Sequence, residues 1–208
     1  MRIAALWSAF VAVAVVATSA AVPRATAFAA SRRVLFIGNS LTTANNLPRL
    51  VEQLSQRAGA PIVATVVAFG DYSLSDHWDR GDALTAIRRG GWDTVVLQQG
   101  PSSLPESRRQ LMVEAKRFDG EIRTAGARTA LYMVWPPKNR LAFFDDVSRS
   151  YTDAAEAVHA LLLPAGDAWR EAWNRDPSLP LYGPDDFHPS VLGSTLAAEA
   201  IVRGIIGR

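Results

Sequence analysis

Ser40, His188 and Asp185 are the residue types from which a nucleophilic serine is built. A free hydroxyl attacks poorly, so it needs a neutral imidazole as base, and the imidazole needs a carboxylate to fix its tautomer and stabilise its cation. Asp185 and His188 lie three residues apart in Pro184-Asp185-Asp186-Phe187-His188-Pro189-Ser190, close enough to pair within one loop. Asp186 is a second carboxylate there, free to solvate the loop, cap a turn or take the place of Asp185. By itself Asp-x-x-His is a weak signal. Ser40 stands in Gly38-Asn39-Ser40-Leu41-Thr42, directly after the apolar run Val34-Leu35-Phe36-Ile37 and shortly before helical spacing resumes at Leu47. A strand-to-helix turn of this kind exposes a side chain, and it equally suits a helix cap or a phosphate-cradling turn.

Composition narrows the remaining chemistry. The 208 residues include no Cys and three His, which removes disulfides, thiolate nucleophiles and thiolate zinc sites. His77, in Asp76-His77-Trp78-Asp79, and His159, beside Val158, are not spaced as metal ligands; His77 reads as a solvated loop residue or a substrate contact, His159 as a packing or surface residue. Thr42 occupies the second glycine position of a Gly-x-Ser-x-Gly elbow, and Gly38-Asn39-Ser40 has neither the lysine of a P-loop nor the glycines of a dinucleotide turn. Arg32-Arg33 and Arg88-Arg89 are isolated basic pairs without an aromatic ladder, which argues against nucleic acid as partner. Neither a metal nor an organic cofactor is expected.

These residues need a scaffold that gathers distant loops. Apolar, β-branched runs at Val34-Leu35-Phe36-Ile37, residues 62–68, Thr94-Val95-Val96-Leu97, residues 129–134 and residues 160–163 suit strands buried on both faces. Between them, Leu47/Leu50/Val51/Leu54, Leu111/Ala115/Phe118/Ile122, Tyr151/Ala154/Ala155/Val158 and Leu196/Ala200/Ile201/Ile205 recur at helical spacing. The alternation predicts a three-layer α/β/α sandwich, flavodoxin-like, with about five parallel strands and ligands at the strands' C-terminal ends. Residues 176–189, with four prolines, read as a surface loop; residues 140–150, also read as a loop, and residues 176–184 are the segments expected to shape the pocket. Tyr72, Trp78 and Trp135 follow strand exits as candidates for a sugar platform or acyl wall, whereas Trp169 and Trp173 share one face of a packed helix.

The combined pattern resembles the SGNH hydrolase (GDSL-like esterase/lipase) superfamily, from Val34 to the C-terminal helix. The resemblance implies Ser40 as nucleophile, Asp185 and His188 as carboxylate and base, and Gly70 in Ala68-Phe69-Gly70-Asp71 as a backbone donor to the oxyanion. Gly-Asp-Ser is replaced here by Gly38-Asn39-Ser40, which keeps a side chain able to hold the turn. The third block departs further: Gln98-Gln99-Gly100-Pro101-Ser102 puts Ser102 where the family's asparagine is expected. A glutamine amide starting earlier in the chain can supply the missing N–H. Gln99 before Gly100 resembles the Gln-Gly of sialate acetylesterases and related carbohydrate esterases, while Gln98 is the alternative, since successive strand residues face opposite ways. Either glutamine can also serve only to tie the loop down.

Met1-Arg2, the apolar residues 3–17 and small residues around Ala25-Thr26-Ala27 have the layout of a signal peptide over residues 1–27, ahead of a domain at 28–208. Cleavage there removes Arg2 and Arg24 from 22 bases and nothing from 20 acids, leaving a formally neutral mature chain. The apolar run is shorter than a membrane span requires, so an exported protein without lasting membrane insertion is expected. The sequence thus predicts a secreted serine esterase acting on a small-molecule or glycan acyl ester, with a short-chain or O-acetyl group favoured. The rival readings are an exported, non-catalytic glycan-binding domain on the same fold, and a phosphate site at the Ser40 turn that leaves Asp185 and His188 without a role.

Overall fold

A computed structural model describes residues 30–207, so the signal-peptide assignment over residues 1–27 lies outside the described residues. The five apolar runs form one parallel sheet: β1 (Arg32–Gly38), β2 (Ile62–Ala68), β3 (Thr94–Leu97), β4 (Arg128–Met133) and β5 (Leu161–Pro164), in the spatial order β2-β1-β3-β4-β5. The interior strands explain the near-continuous hydrophobicity, since Val34 to Ile37 and Thr94 to Leu97 are buried throughout. The edge strand β2 is not buried on both faces as its composition suggests. Val63 and Val66 are 49% and 40% exposed.

Helices cover both faces in the expected three-layer arrangement. One layer holds α2 (Leu47–Arg57), α7 (Ala165–Arg175) and α8 (Val191–Ile206), with α8 between the other two. The opposite layer holds α3 (Leu74–Arg80), α4 (Asp82–Arg88), α5 (Pro105–Thr124) and α6 (Phe144–Ala157). A single turn, α1 (Ser40–Thr43), opens directly from the end of β1. Residues 140–150 are not the loop expected: a 3₁₀ turn at Lys138–Phe143 runs into α6, whose inward face carries Phe144, Val147, Ser150 and Tyr151. Residues 176–189 do form an irregular segment, pinned by an antiparallel bridge between Tyr182 and Pro189. No helix among the described residues is long and apolar enough to cross a membrane.

The core corrects one reading of the aromatics. Trp135 is fully buried and stacks on Trp169 with ring centroids 3.6 Å apart, so it is a packing residue rather than an open sugar platform. Its indole N–H donates to the Phe187 carbonyl at 3.1 Å, which ties the exit of β4 to the loop holding Asp185 and His188. Trp78 packs edge-on against Phe118 of α5 and under the guanidinium of Arg117. Of the three aromatic candidates, Tyr72 lines the cavity at the strand exits.

Candidate active site

The loop between β1 and α2 is shaped by polar contacts that follow from its sequence. Asn39 caps α1: its Oδ1 accepts from Leu41 N at 3.1 Å, and its Nδ2 donates to Tyr72 O at 3.0 Å. An aspartate could make the first bond but not the second, because a carboxylate has no donor. The turn also requires Gly38. A Cβ there would fall inside contact distance of Thr42 Oγ1 and 2.5 Å from Gln98 Oε1.

Ser40 is half-buried at the first position of α1, and its Oγ lies 2.9 Å from His188 Nε2. His188 Nδ1 lies 2.6 Å from Asp185 Oδ2. Asp185 Oδ1 accepts from the backbone N–H of Phe187 at 3.1 Å and of His188 at 2.9 Å, so both carboxylate oxygens are held and the loop is bent around them. The bond from His188, reinforced by the Phe187 N–H, holds the Asp185 carboxyl down at about 2. Asp186 does not share in this. It sits at φ 56° and pairs through its carboxylate with Lys138 Nζ at 2.8 Å, facing away from the imidazole.

The two glutamines separate by direction, as adjacent strand-end residues do. Gln98 is fully buried: its Oε1 accepts from Asn39 N at 2.9 Å and Thr42 Oγ1 at 2.7 Å, and its Nε2 donates to Gln99 O at 2.6 Å. It holds the Ser40 turn from beneath. Gln99 lines the cavity instead, with Nε2 donating to Ser102 Oγ at 3.1 Å and Ser107 O at 3.4 Å, while Oε1 accepts from Leu74 N at 3.3 Å. Ser102, at the place of the family's asparagine, is buried in a left-handed conformation with φ 56° and lines the same cavity. Gly70 sits at the exposed exit of β2, next to the end of β1, where Phe69 N donates to Gly38 O at 3.3 Å.

Around Ser40 opens a cavity of about 410 Å³, whose other walls include Tyr72, Leu104, Gln110, Arg140 and Phe187. Hydroxyl-bearing side chains are frequent on it: Ser73, Ser102, Ser103 and Ser107. A second hollow of about 570 Å³ lies across the Lys138–Asp186 ion pair, lined by Trp173, Leu179 and Tyr182, so the residues 176–184 shape this hollow rather than the one at Ser40. His77 overturns both of its sequence readings, being neither solvated nor in the cavity: it lies fully buried on α3 behind the Ser40 turn. The Ser73-x-x-Asp76 capping box that starts α3 was the available sign that His77 belongs to a helix. His159 is exposed, just past the end of α6. Among the described residues no cluster of three or more His, Asp or Glu is placed to hold a metal ion.

No protein-family model matches the chain, and no curated protein sequence matches it. Solved structures do. A protein from Slackia heliotrinireducens carrying an SGNH hydrolase assignment superposes with a TM-score of 0.72 at 28% identity, over 85% of this chain and 100% of that one. A lipase/acylhydrolase from Enterococcus faecalis gives a TM-score of 0.66 at 16% identity, over 85% and 96%. An acetyl xylan esterase from Geobacillus stearothermophilus gives 0.65 at 18% identity, over 84% and 94%.

Proposed function

We propose that this chain, which has the fold of the SGNH hydrolases, is an exported esterase that cleaves a short acyl ester, an O-acetyl group on a carbohydrate above all, through Ser40, His188 and Asp185. The observation that carries this reading is the unbroken contact from Ser40 Oγ to His188 Nε2 at 2.9 Å and from His188 Nδ1 to Asp185 at 2.6 Å, at the open end of the sheet. The esterase and acylhydrolase names of the structural neighbours support ester hydrolysis.

In the proposed reaction His188 Nε2 takes the Ser40 proton as Oγ attacks the ester carbonyl. Asp185, ionised, keeps the proton of His188 on Nδ1 and stabilises the imidazolium. The tetrahedral oxyanion is received by the backbone N–H groups of Ser40 and Gly70 and by the amide of Gln99, which releases its long 3.4 Å contact with Ser107 O to turn toward it. The proton then passes from His188 to the departing alcohol, leaving Ser40 acylated, and water activated by the same base releases the acid. Seryl hydroxyls and Gln110 around the cavity offer partners to a hydroxyl-rich alcohol group, which favours a sugar over a long hydrocarbon. The apolar N-terminal segment of the sequence supports export.

Hydrolysis of p-nitrophenyl acetate and its longer acyl homologues by residues 28–208 tests the reading, with Ser40→Ala alongside. Rates should fall with acyl length and drop in the variant to the residual level left by binding and the oxyanion hole. A folded protein inert toward these esters and toward acetylated xylan, or a Ser40→Ala variant as active as the parent, overturns it and favours the binding-domain alternative.

A further inference from the structure

His77 takes no part in the proposed proton transfers, yet its imidazole is fully buried and touches the peptide immediately preceding the nucleophile turn. Its Nε2 lies 2.7 Å from the Gly38 carbonyl oxygen. A carbonyl only accepts, so Nε2 carries the proton and Nδ1 is the bare nitrogen of a neutral ring. Nδ1 is also buried and has no partner among the described residues. The ring is wedged beside Phe69 and Tyr72, with centroids 5.8 and 5.3 Å away, and both of these residues belong to the segment between β2 and α3. Burial pushes the imidazole below its ordinary value, against the Gly38 bond and the nearby Asp76 and Asp82 carboxylates and with the Arg80 charge.

We infer that His77 is a positioning residue for Ser40: by donating to the Gly38 carbonyl it fixes the peptide plane from which the nucleophile turn departs. Gly38 O receives a second donor, Phe69 N at 3.3 Å, so the plane is held from two directions. On the other side of the turn Gln98 holds Asn39 N and Thr42 Oγ1. Ser40 therefore projects from a segment with its carbonyl side anchored to α3 and its amide side anchored to the end of β3. A nucleophile must meet both its base and the carbonyl carbon within a few tenths of an ångström, so loss of one anchor is felt in the chemical step more than in binding. This rests on the reading of Ser40 as the nucleophile.

The test compares His77→Leu, which fills the site but donates nothing, with His77→Gln, whose side-chain amide can again reach Gly38 O. The expected result is a fall in kcat of about 10- to 100-fold in the leucine variant with KM nearly unchanged, and recovery of most of kcat in the glutamine variant. Amide hydrogen exchange at Leu41 and Thr42, whose N–H groups donate to Asn39, supplies a second readout that does not depend on turnover: protection should drop in His77→Leu and return in His77→Gln. If both variants lose activity only in proportion to their unfolded fraction, or if the turn amides keep full protection in folded His77→Leu, the positioning role is wrong. If the parent protein is inert on esters but the exchange pattern holds, the esterase reading fails while the anchoring of the turn by His77 stands.

Discussion

At Asp185 and Asp186, neighbours of identical chemistry are given different work by their backbone. Asp185 bends back to accept from two backbone N–H groups and His188, whereas the left-handed φ of Asp186 sends its carboxylate to Lys138 on the surface. Asp185→Asn should leave the loop nearly in place but present the wrong partner to Nδ1, lowering kcat by about 10²- to 10⁴-fold. Asp186→Asn removes only an exposed ion pair, contributing about 0 to 1 kcal/mol, and should change neither kcat nor KM by more than about threefold. Steady-state kinetics of the two variants side by side checks the assignment. The same pair shows what residue type and spacing could not decide: they narrowed the choice to adjacent acids, but the backbone conformation that parts the two carboxylates appears only in the folded loop.

Helices that were long and periodic were readable, and the short ones were not. The interior strands announced themselves because burial on both faces demands continuous apolar residues, and α2, α5, α6 and α8 because each keeps one apolar stripe. The helices α3 and α4 have seven residues each and are separated only by Gly81 at φ 85°, too little length for a stripe to emerge. The start of α6 read as a loop, although Asp145 and Asp146 in its first turn are a helix-start signal. Close approach of elements left a sharper mark in glycine. Gly193 in the first turn of α8 passes so near the segment before the loop bearing Asp185 and His188 that a Cβ would overlap Leu181 O and lie 2.5 Å from the Trp169 ring. Gly193→Ala should therefore destabilise the fold by about 1 to 3 kcal/mol and shift the Asp185–His188 loop away from Ser40. A lowered denaturant midpoint together with a reduced kcat in the still-folded fraction is the expected outcome.

For the molecule as a whole, the strand order sets which distant segments meet. Strand β1 lies between β2 and β3, so the exits bearing Ser40, Gly70 and Gln99 are neighbours, and packing of α8 returns His188 to Ser40 across 148 positions of chain. That convergence was legible once alternation implied a parallel sheet; a loop-tying role was open to either glutamine, but that Gln98 fills it and that His77 points inward were not legible, because side-chain direction is decided by packing. Two of the groups with shifted titration, His77 and Asp185, flank the Ser40 turn and give it an acid response in two separate windows. His77 titrates lower when folded than the ordinary 6.5, through burial opposed by Gly38 O, Asp76 and Asp82 and aided by Arg80. The unfolded chain thus binds the proton more readily, and stability is complete above about pH 6.5 and declines as pH falls below it. Asp185 is ordinarily near 3.8 and lies at about 2 when folded, so its contribution is present above 3.8 and is lost as pH falls toward 2. Denaturation midpoints measured from pH 8 downward should accordingly lose slope in the upper window in His77→Gln and in the lower window in Asp185→Asn. A slope in the upper window unchanged by His77→Gln would mean that the buried imidazole accepts its proton without cost, contrary to its enclosure between the Ser40 turn and the rings of Phe69 and Tyr72.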